Sequence, residues 1–406
     1  MTLYFHSLFR FIGYGLIISF LLVIGQVQAK TLSSYNAKKV QYSNQLQQKG
    51  ELAEAISILA ELSPTATYDR AYIARVLGVF YWQNEQPKKA ISQLSAAISL
   101  HALEQQAQWQ TEKMLADIYY SDHQWSKSIE HYQHLLVSNY PVRTDKQSKE
   151  LATSKNELHL RLANSYYQQG AWKSCLTHIR QFSPKDRSEK IQKLKIQLVS
   201  ELQLARWSSA EQTAQALIEF ESNQKIWWHQ LIAAQLQQQK ADKALVNYSL
   251  AKQQGIQFEV QDYKTLSQLY SQNRLPEQAA KVMEEMFINS PSTKSESELV
   301  RQATYWQMAK EWEKAGNVWR EAAQKDAKHY WSLVKLQSQQ KEYKQALVST
   351  EKAKPFISAS EYGLMKIRLY YKLARYNEAL AQAKRLNEMY PSSEAQDWIA
   401  YLIHKV

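Results

Sequence analysis

The 406-residue chain has one cysteine, nine glycines and eight prolines. A lone Cys175 rules out an internal disulfide framework, so stability has to come from packed apolar area. So little glycine is a poor basis for sheets with tight turns. The 12 Trp, 25 Tyr and 10 Phe suit helices packed by large side chains. Beyond residue 24 no apolar run approaches the ~20 residues that a membrane-spanning helix needs.

The patterns that carry catalysis are also missing. The chain has no G-x-x-x-x-G-K-[ST], H-E-x-x-H, G-x-S-x-G or G-x-G-x-x-G. Ser249–Lys252 reads S-x-x-K but has no S-D-N or K-T-G companion and falls inside a predicted helix. His131 and His134 stand three apart on one helix, a spacing able to chelate zinc. No cysteine or evident carboxylate completes that set, so packing or solvent-facing histidines are expected. Cys175 is expected to be a buried, inert thiol. The acids Glu284 and Glu285 are consecutive and point apart on a helix. The reading is of a protein that is not an enzyme, with no cofactor and no metal.

What the chain does have begins at its N-terminus. Phe11–Ile24 is a 14-residue apolar run, too short for a comfortable membrane span, followed by small residues at Val27 and Ala29. This is the pattern of an exported chain cleaved near Ala29. A retained anchor is the alternative. Residues 1–29 hold Arg10 and no acid, so cleavage lowers the formal charge from +12 to +11. The positive excess lies in short pairs such as Lys88–Lys89 rather than in one block.

"LGVFYWQNEQPKKA", Leu77 to Ala90, reads as a helix, a turn at Asn84–Pro87 and a second helix. The small residue opening that second helix recurs as Ala55, Ala90, Ser128, Cys175, Ala210, Ala244, Ala279, Ala315, Ala346 and Ala379. Most successive members stand about 35 positions apart, and the widest gap runs from Ser128 to Cys175. Nine positions earlier stands a bulky residue in most cases: Tyr81, Tyr119, Tyr166, Tyr270, Trp306 and Tyr370. Glu201 and Gln337 break that rule. Three positions earlier again comes Gly78, Ala116, Ala163, Ser267 or Ala303, on the same helical face. Pro64, Pro141, Pro184, Pro291 and Pro391 fall where repeats end.

"VLGVFYWQNEQPKKAISQL", "LANSYYQQGAWKSCL" and "LSQLYSQNRLPEQAAKVMEEMFINSP" resemble tetratricopeptide (TPR) repeats over residues 36–393. The resemblance implies an all-α fold: an α-solenoid of about ten TPR-like helical hairpins. Residues 394–406 would form a C-terminal capping helix. The domains expected are a signal peptide at 1–29, about three repeats over 30–141 and about seven over 156–393. Residues 142–155 are read as a loop or hinge, or else as a lengthened first helix.

In TPR proteins the first helix of each repeat lines an inner groove. Carried over position by position, that face would present Tyr72, Arg75, Trp82, Gln83, Lys113, Asp117, Tyr120, Asn164, Tyr167 and Gln168. Further along come Lys195, His229, Lys264, Gln268, Lys335, Arg368, Tyr371 and Lys372. The N-terminal groove would then expose aromatics beside polar groups, and the C-terminal groove would be repeatedly cationic. Only Asn164 fits the carboxylate clamp of chaperone-binding relatives, so capture of a terminal carboxylate is not supported.

Tyr68–Gln83, "YDRAYIARVLGVFYWQ", is similar to a stretch of periplasmic repeat proteins that accompany TonB-type systems in gammaproteobacteria. This resemblance implies a periplasmic adaptor for a protein partner, such as a TonB-complex component, in iron-siderophore or haem uptake. Such a protein would meet the membrane through its partner. The alternative is binding of an anionic envelope polymer, peptidoglycan or lipopolysaccharide. The compartment argues against nucleic acid.

Overall fold

A computed structural model describes residues 31–406, so the segment expected to be a signal peptide, 1–29, lies outside the described residues. The described chain is helical, without strands. It divides into two compact bodies, one ending at Ala171 and one beginning at Trp172.

The first body holds α1 (Ser34–Gln48), α2 (Leu52–Ala60), α3 (Thr67–Gln83), α4 (Pro87–Ser99), α5 (Gln105–Ser121), α6 (Trp125–Val137) and α7 (Asp145–Gln168). The second starts with α8 (Trp172–Gln181), α9 (Arg187–Gln203), α10 (Trp207–Phe220), α11 (Lys225–Gln237), α12 (Ala241–Gln253), α13 (Val260–Gln272) and α14 (Pro276–Asn289). It continues with α15 (Glu296–Met308), α16 (Trp312–Lys325), α17 (Tyr330–Gln339), α18 (Tyr343–Ala353), α19 (Ala359–Lys372), α20 (Tyr376–Met389) and α21 (Ser393–Ile403). Within each body every helix packs on its neighbours in sequence, the nearest-neighbour arrangement of an α-solenoid.

The ten small residues mark the repeat physically. Each is 0% exposed, because there the second helix of the hairpin lies against its neighbours. Five positions before each of them the backbone turns left-handed. It does so at Gly50, Glu85, His123, Gly170, Ala205, Gln239, Arg274, Lys310, Lys341 and Ala374. The following amide then donates back to the carbonyl nine positions before the marker. Gln86 bonds Tyr81 at 2.9 Å, and Arg206 bonds Glu201 at 2.8 Å. This is the helix-terminating turn in which glycine is favoured, and only two of the ten positions hold it. Register is therefore set by the buried small residue and the closing bond more than by glycine.

Gly78 shows why smallness matters on the partner helix. A Cβ there would stand 2.6 Å from Leu94 Cδ2 and Cγ, and Leu94 is 0% exposed. The bulky position that follows is less uniform. Glu201 and Gln337 do stand there, and so does Gln235. All three are buried, at 0%, 5% and 3% exposure. Glu201 accepts from Thr213 Oγ1 at 2.7 Å and Gln197 Nε2 at 2.9 Å, with Arg180 at 3.3 Å.

Of the two readings of 142–155, a loop or a lengthened first helix, the structure has the second from Asp145 onward. The loop ends at Thr144, whose side chain accepts from the Gln147 amide, and α7 runs unbroken from Asp145. Leu151 and Leu158 anchor the added turns on the apolar core of α5 and α6. The polar stretch is the solvent side of a lengthened helix.

Candidate binding surface

The first helices of five repeats carry a cation at one shared place, always the same distance ahead of the small marker. Arg75 precedes Ala90 in this way, Lys113 precedes Ser128, Lys195 precedes Ala210, His229 precedes Ala244 and Lys264 precedes Ala279. Four of the five are paired. Lys113 Nζ lies 2.9 Å from Asp117 on its own helix. Lys195 Nζ lies 3.1 Å from Glu221 and 5.4 Å from the centre of the Trp227 ring. His229 Nε2 is 2.9 Å from Asp262, and Lys264 Nζ is 2.7 Å from Glu298. Lys225 also reaches Asp262, at 2.9 Å. Burial alone would raise the Asp262 carboxyl. Hydrogen bonds from His229, the Glu259 amide and Lys225 outweigh it and bring the pKa down to about 2.

This pairing corrects the picture of a repeatedly cationic C-terminal face. Arg368 Nη2 likewise meets Glu394 at 2.6 Å. Of the remaining predicted positions there, Gln268, Lys335 and Lys372 are exposed, and Lys335 lies over the Trp331 ring at 5.2 Å. The pairing acids come from one repeat further along, Asp262 beyond His229 and Glu298 beyond Lys264. A search for opposite charges one period apart would have found them.

The N-terminal body differs from expectation in another way. Tyr72, Trp82, Tyr120 and Tyr167 are half-buried rather than exposed. Tyr72 packs into two neighbouring apolar clusters, and Trp82 into the one between α4 and α5. Tyr120 stands edge-on to Trp125 at 5.2 Å and beneath the Arg161 guanidinium at 5.0 Å. Asn164 is buried at 7% exposure, so the groove loses it. Gln83 and Gln168 do reach solvent. Asp117 is tied down, accepting from Tyr132 Oη at 2.6 Å as well as from Lys113.

Arg75 stands apart. It is half-buried on α3, as are Tyr68 and Tyr72, whose ring centres are 6.1 Å apart. Burial lowers its pKa and the neighbouring phenols of Tyr72 and Tyr68 raise it, while Tyr68 also feels Glu104 and Asp69. No hydrogen bond or ion pair of Arg75 exists among the described residues. The residue that occupies in the next repeat the position of Asp262 is, for Arg75, Thr111, a neutral residue at 1% exposure.

The groups with reactive potential are occupied by packing. Cys175 is 0% exposed beside Ser200 Oγ at 3.3 Å, and burial pushes its thiol up to about 11. Ser249 Oγ donates to the Leu245 carbonyl at 3.0 Å, while Lys252 pairs with Glu285. The histidine pair has a carboxylate partner that the sequence reading missed, Glu112 from α5. His131 Nδ1 lies 3.1 Å from Glu112 Oε1, and His134 Nδ1 lies 2.8 Å from the same oxygen. Burial would raise the Glu112 carboxyl, yet the two imidazole bonds hold it below the usual range. That carboxylate ties α6 to α5. Among the described residues, Glu296, Asp326 and His329 bring three potential metal ligands together. The Lys328 ammonium pairs with both of those acids, 3.2 Å from Glu296 and 2.7 Å from Asp326.

No known family's sequence profile matches the chain, and no curated protein matches it. Solved structures similar to it include a tetratricopeptide repeat protein from Parabacteroides merdae, at 14% identity and a TM-score of 0.35. That likeness covers 63% of this chain and 93% of the other. The C-terminal part of a TPR repeat-containing protein from Cytophaga hutchinsonii is similar at 14% identity over 71% of this chain and 95% of its own, with a TM-score of 0.36. PilF of Pseudomonas aeruginosa is similar at 14% identity, covering 55% of this chain and 94% of that one, with a TM-score of 0.29.

Proposed function

We propose that this chain is a non-catalytic scaffold that binds a protein segment along the first-helix faces of its N-terminal body. The observation that carries the reading is the face of α3. There Tyr68, Tyr72, Arg75 and Trp82 recur at helical spacing, half-exposed, with Arg75 in no hydrogen bond or ion pair among the described residues. Aromatic side chains beside arginine are the mixture from which protein-binding hot spots are built. Ser249, Lys252 and Cys175, the groups that could begin covalent chemistry, are held in packing contacts or ion pairs.

The finer reading is a periplasmic adaptor serving a TonB-type uptake system. Its support is the apolar segment Phe11–Ile24 with the small residues after it, together with the likeness of Tyr68–Gln83 to TonB-associated repeat proteins. The paired cations of α9, α11 and α13 favour this over an anionic envelope polymer, because their charge is already met by Glu221, Asp262 and Glu298.

The test places a photo-crosslinking amino acid at exposed Gln83 in the exported protein. Recovery of a TonB-system protein supports the adaptor reading. A cross-link to sacculi or lipopolysaccharide, or to nothing at all, overturns it. N-terminal sequencing of the purified protein checks the compartment: a mature chain starting near Lys30 is expected, and an intact Met1 refutes cleavage.

A further inference from the structure

We propose that Glu112, His131 and His134 form a binding site for a zinc-type divalent cation, closed between α5 and α6. The proposal is independent of the docking reading above. In the sequence the two histidines have the spacing of a chelate and lack a third donor, and the fold supplies it. Glu112 comes from the first helix of the hairpin and the histidines from the second, so an ion here would staple one to the other.

The donors converge. His131 Nδ1 is 3.1 Å and His134 Nδ1 2.8 Å from the same oxygen, Glu112 Oε1. Zinc bonds of about 2.0–2.1 Å in a tetrahedron set ligand atoms about 3.3 Å apart, so two of the three edges are already near length. The third, imidazole to imidazole, closes by rotation of His134, whose side chain is 64% exposed. The carboxylate is held ready as an anion: burial would raise its pKa, and the two imidazole bonds outweigh that. Its partners in these contacts are imidazoles, which can pass from hydrogen-bond donor to metal ligand. Glu296 and Asp326, by contrast, face the Lys328 ammonium, which repels a cation.

Outer contacts orient both rings. His131 lies stacked on Tyr119, with centres 5.7 Å apart and planes 10° apart. Ser138 Oγ stands 3.4 Å from His134 Nε2. An ionised carboxylate only accepts, so each Nδ1 now donates its proton to Glu112. When the ion takes the Nδ1 lone pairs, each ring carries its proton on Nε2 instead, where Ser138 accepts that of His134. Two nitrogens and one oxygen leave a fourth position for water.

The probe is cobalt(II), whose strong visible absorption reports four-coordination, titrated into untagged exported protein stripped with a chelator. Zinc is then added as competitor. The expected result is an intense blue spectrum that zinc bleaches, and a melting temperature raised by zinc. His134→Ala changes an exposed side chain and should keep the helical circular dichroism. It should weaken cobalt binding by more than the about 10- to 100-fold that losing a supporting residue costs. Glu112→Gln should do the same while preserving the buried shape, and His329→Ala should leave the spectrum unchanged. A titration without a four-coordinate spectrum, a spectrum indifferent to His134→Ala, or one lost in His329→Ala overturns the site.

Discussion

The sharpest test of the repeat packing is a single methyl group. Gly78→Ala adds a Cβ 2.6 Å from Leu94 Cδ2 and Cγ and 3.3 Å from the Leu94 amide nitrogen. Ordinary carbon contacts lie at about 3.5–4.0 Å, so α3 and α4 must separate by roughly 1 Å or Leu94 must leave its rotamer. Leu94 is 0% exposed and has no solvent into which to turn. Overpacking of this kind costs about 1–3 kcal/mol. The alanine regains about 0.8–1 kcal/mol of helix propensity, which leaves a net loss of up to about 2 kcal/mol.

Gly316 in α16 is the matched control. Its nearest neighbour to an added Cβ is Leu336 Cδ2 at 3.8 Å, an ordinary contact, so Gly316→Ala should stabilise by up to about 1 kcal/mol. Urea unfolding followed by far-UV circular dichroism measures both variants. Hydrogen exchange over α3 and α4 localises the first, because repeat arrays need not unfold as one unit. Combining Gly78→Ala with Leu94→Ala should give a protein more stable than Leu94→Ala alone, since the new methyl partly fills the cavity. Equal signs for the two glycine variants, or no recovery in the double variant, would refute the packing argument.

Three other outcomes are expected. The Asp262 carboxyl, depressed to about 2 from an ordinary 3.8, contributes stability above pH 4 that is lost as pH falls towards 2. The loss is about 2 kcal/mol, and Asp262→Asn should flatten that part of the acid-unfolding curve. Ala205 and Ala374 hold left-handed backbone, at φ of 53° and 55°, so replacing either with glycine should raise stability by about 0.5–1 kcal/mol in thermal melts. A fall in melting temperature would contradict the strain. Cys175, with its thiol pushed up to about 11, should resist iodoacetamide at pH 8 in the native protein and react once urea unfolds it. Prompt native labelling would show that the site opens.

Much of the architecture was legible because it is written locally and repeatedly. A small residue recurring about every 35 positions can serve only one purpose ten times over, and all ten prove to be fully buried at equivalent contacts. The turn before each is closed by the chain's own amides, so eight non-glycine residues accept a left-handed backbone there. Side-chain roles were read less well. Whether Lys264 is a ligand-binding cation or a satisfied one depends on Glu298, a residue in a different repeat. Helical spacing also marked Tyr72 and Trp82 for the groove without showing how deeply the adjacent hairpins would cover them. The stretch 145–155 looked like a loop because its polar face dominates the composition. Leu151 and Leu158 become helix-anchoring residues only once α5 and α6 stand against them.

By itself the sequence determined the repeat, its register and its number, since a periodic need for close helix contact constrains the residues within one hairpin. Tertiary structure decided the electrostatics. Lys195, His229 and Lys264 are each met by an acid outside their own helix, Glu221, Asp262 and Glu298, and helical spacing alone does not reveal such partners.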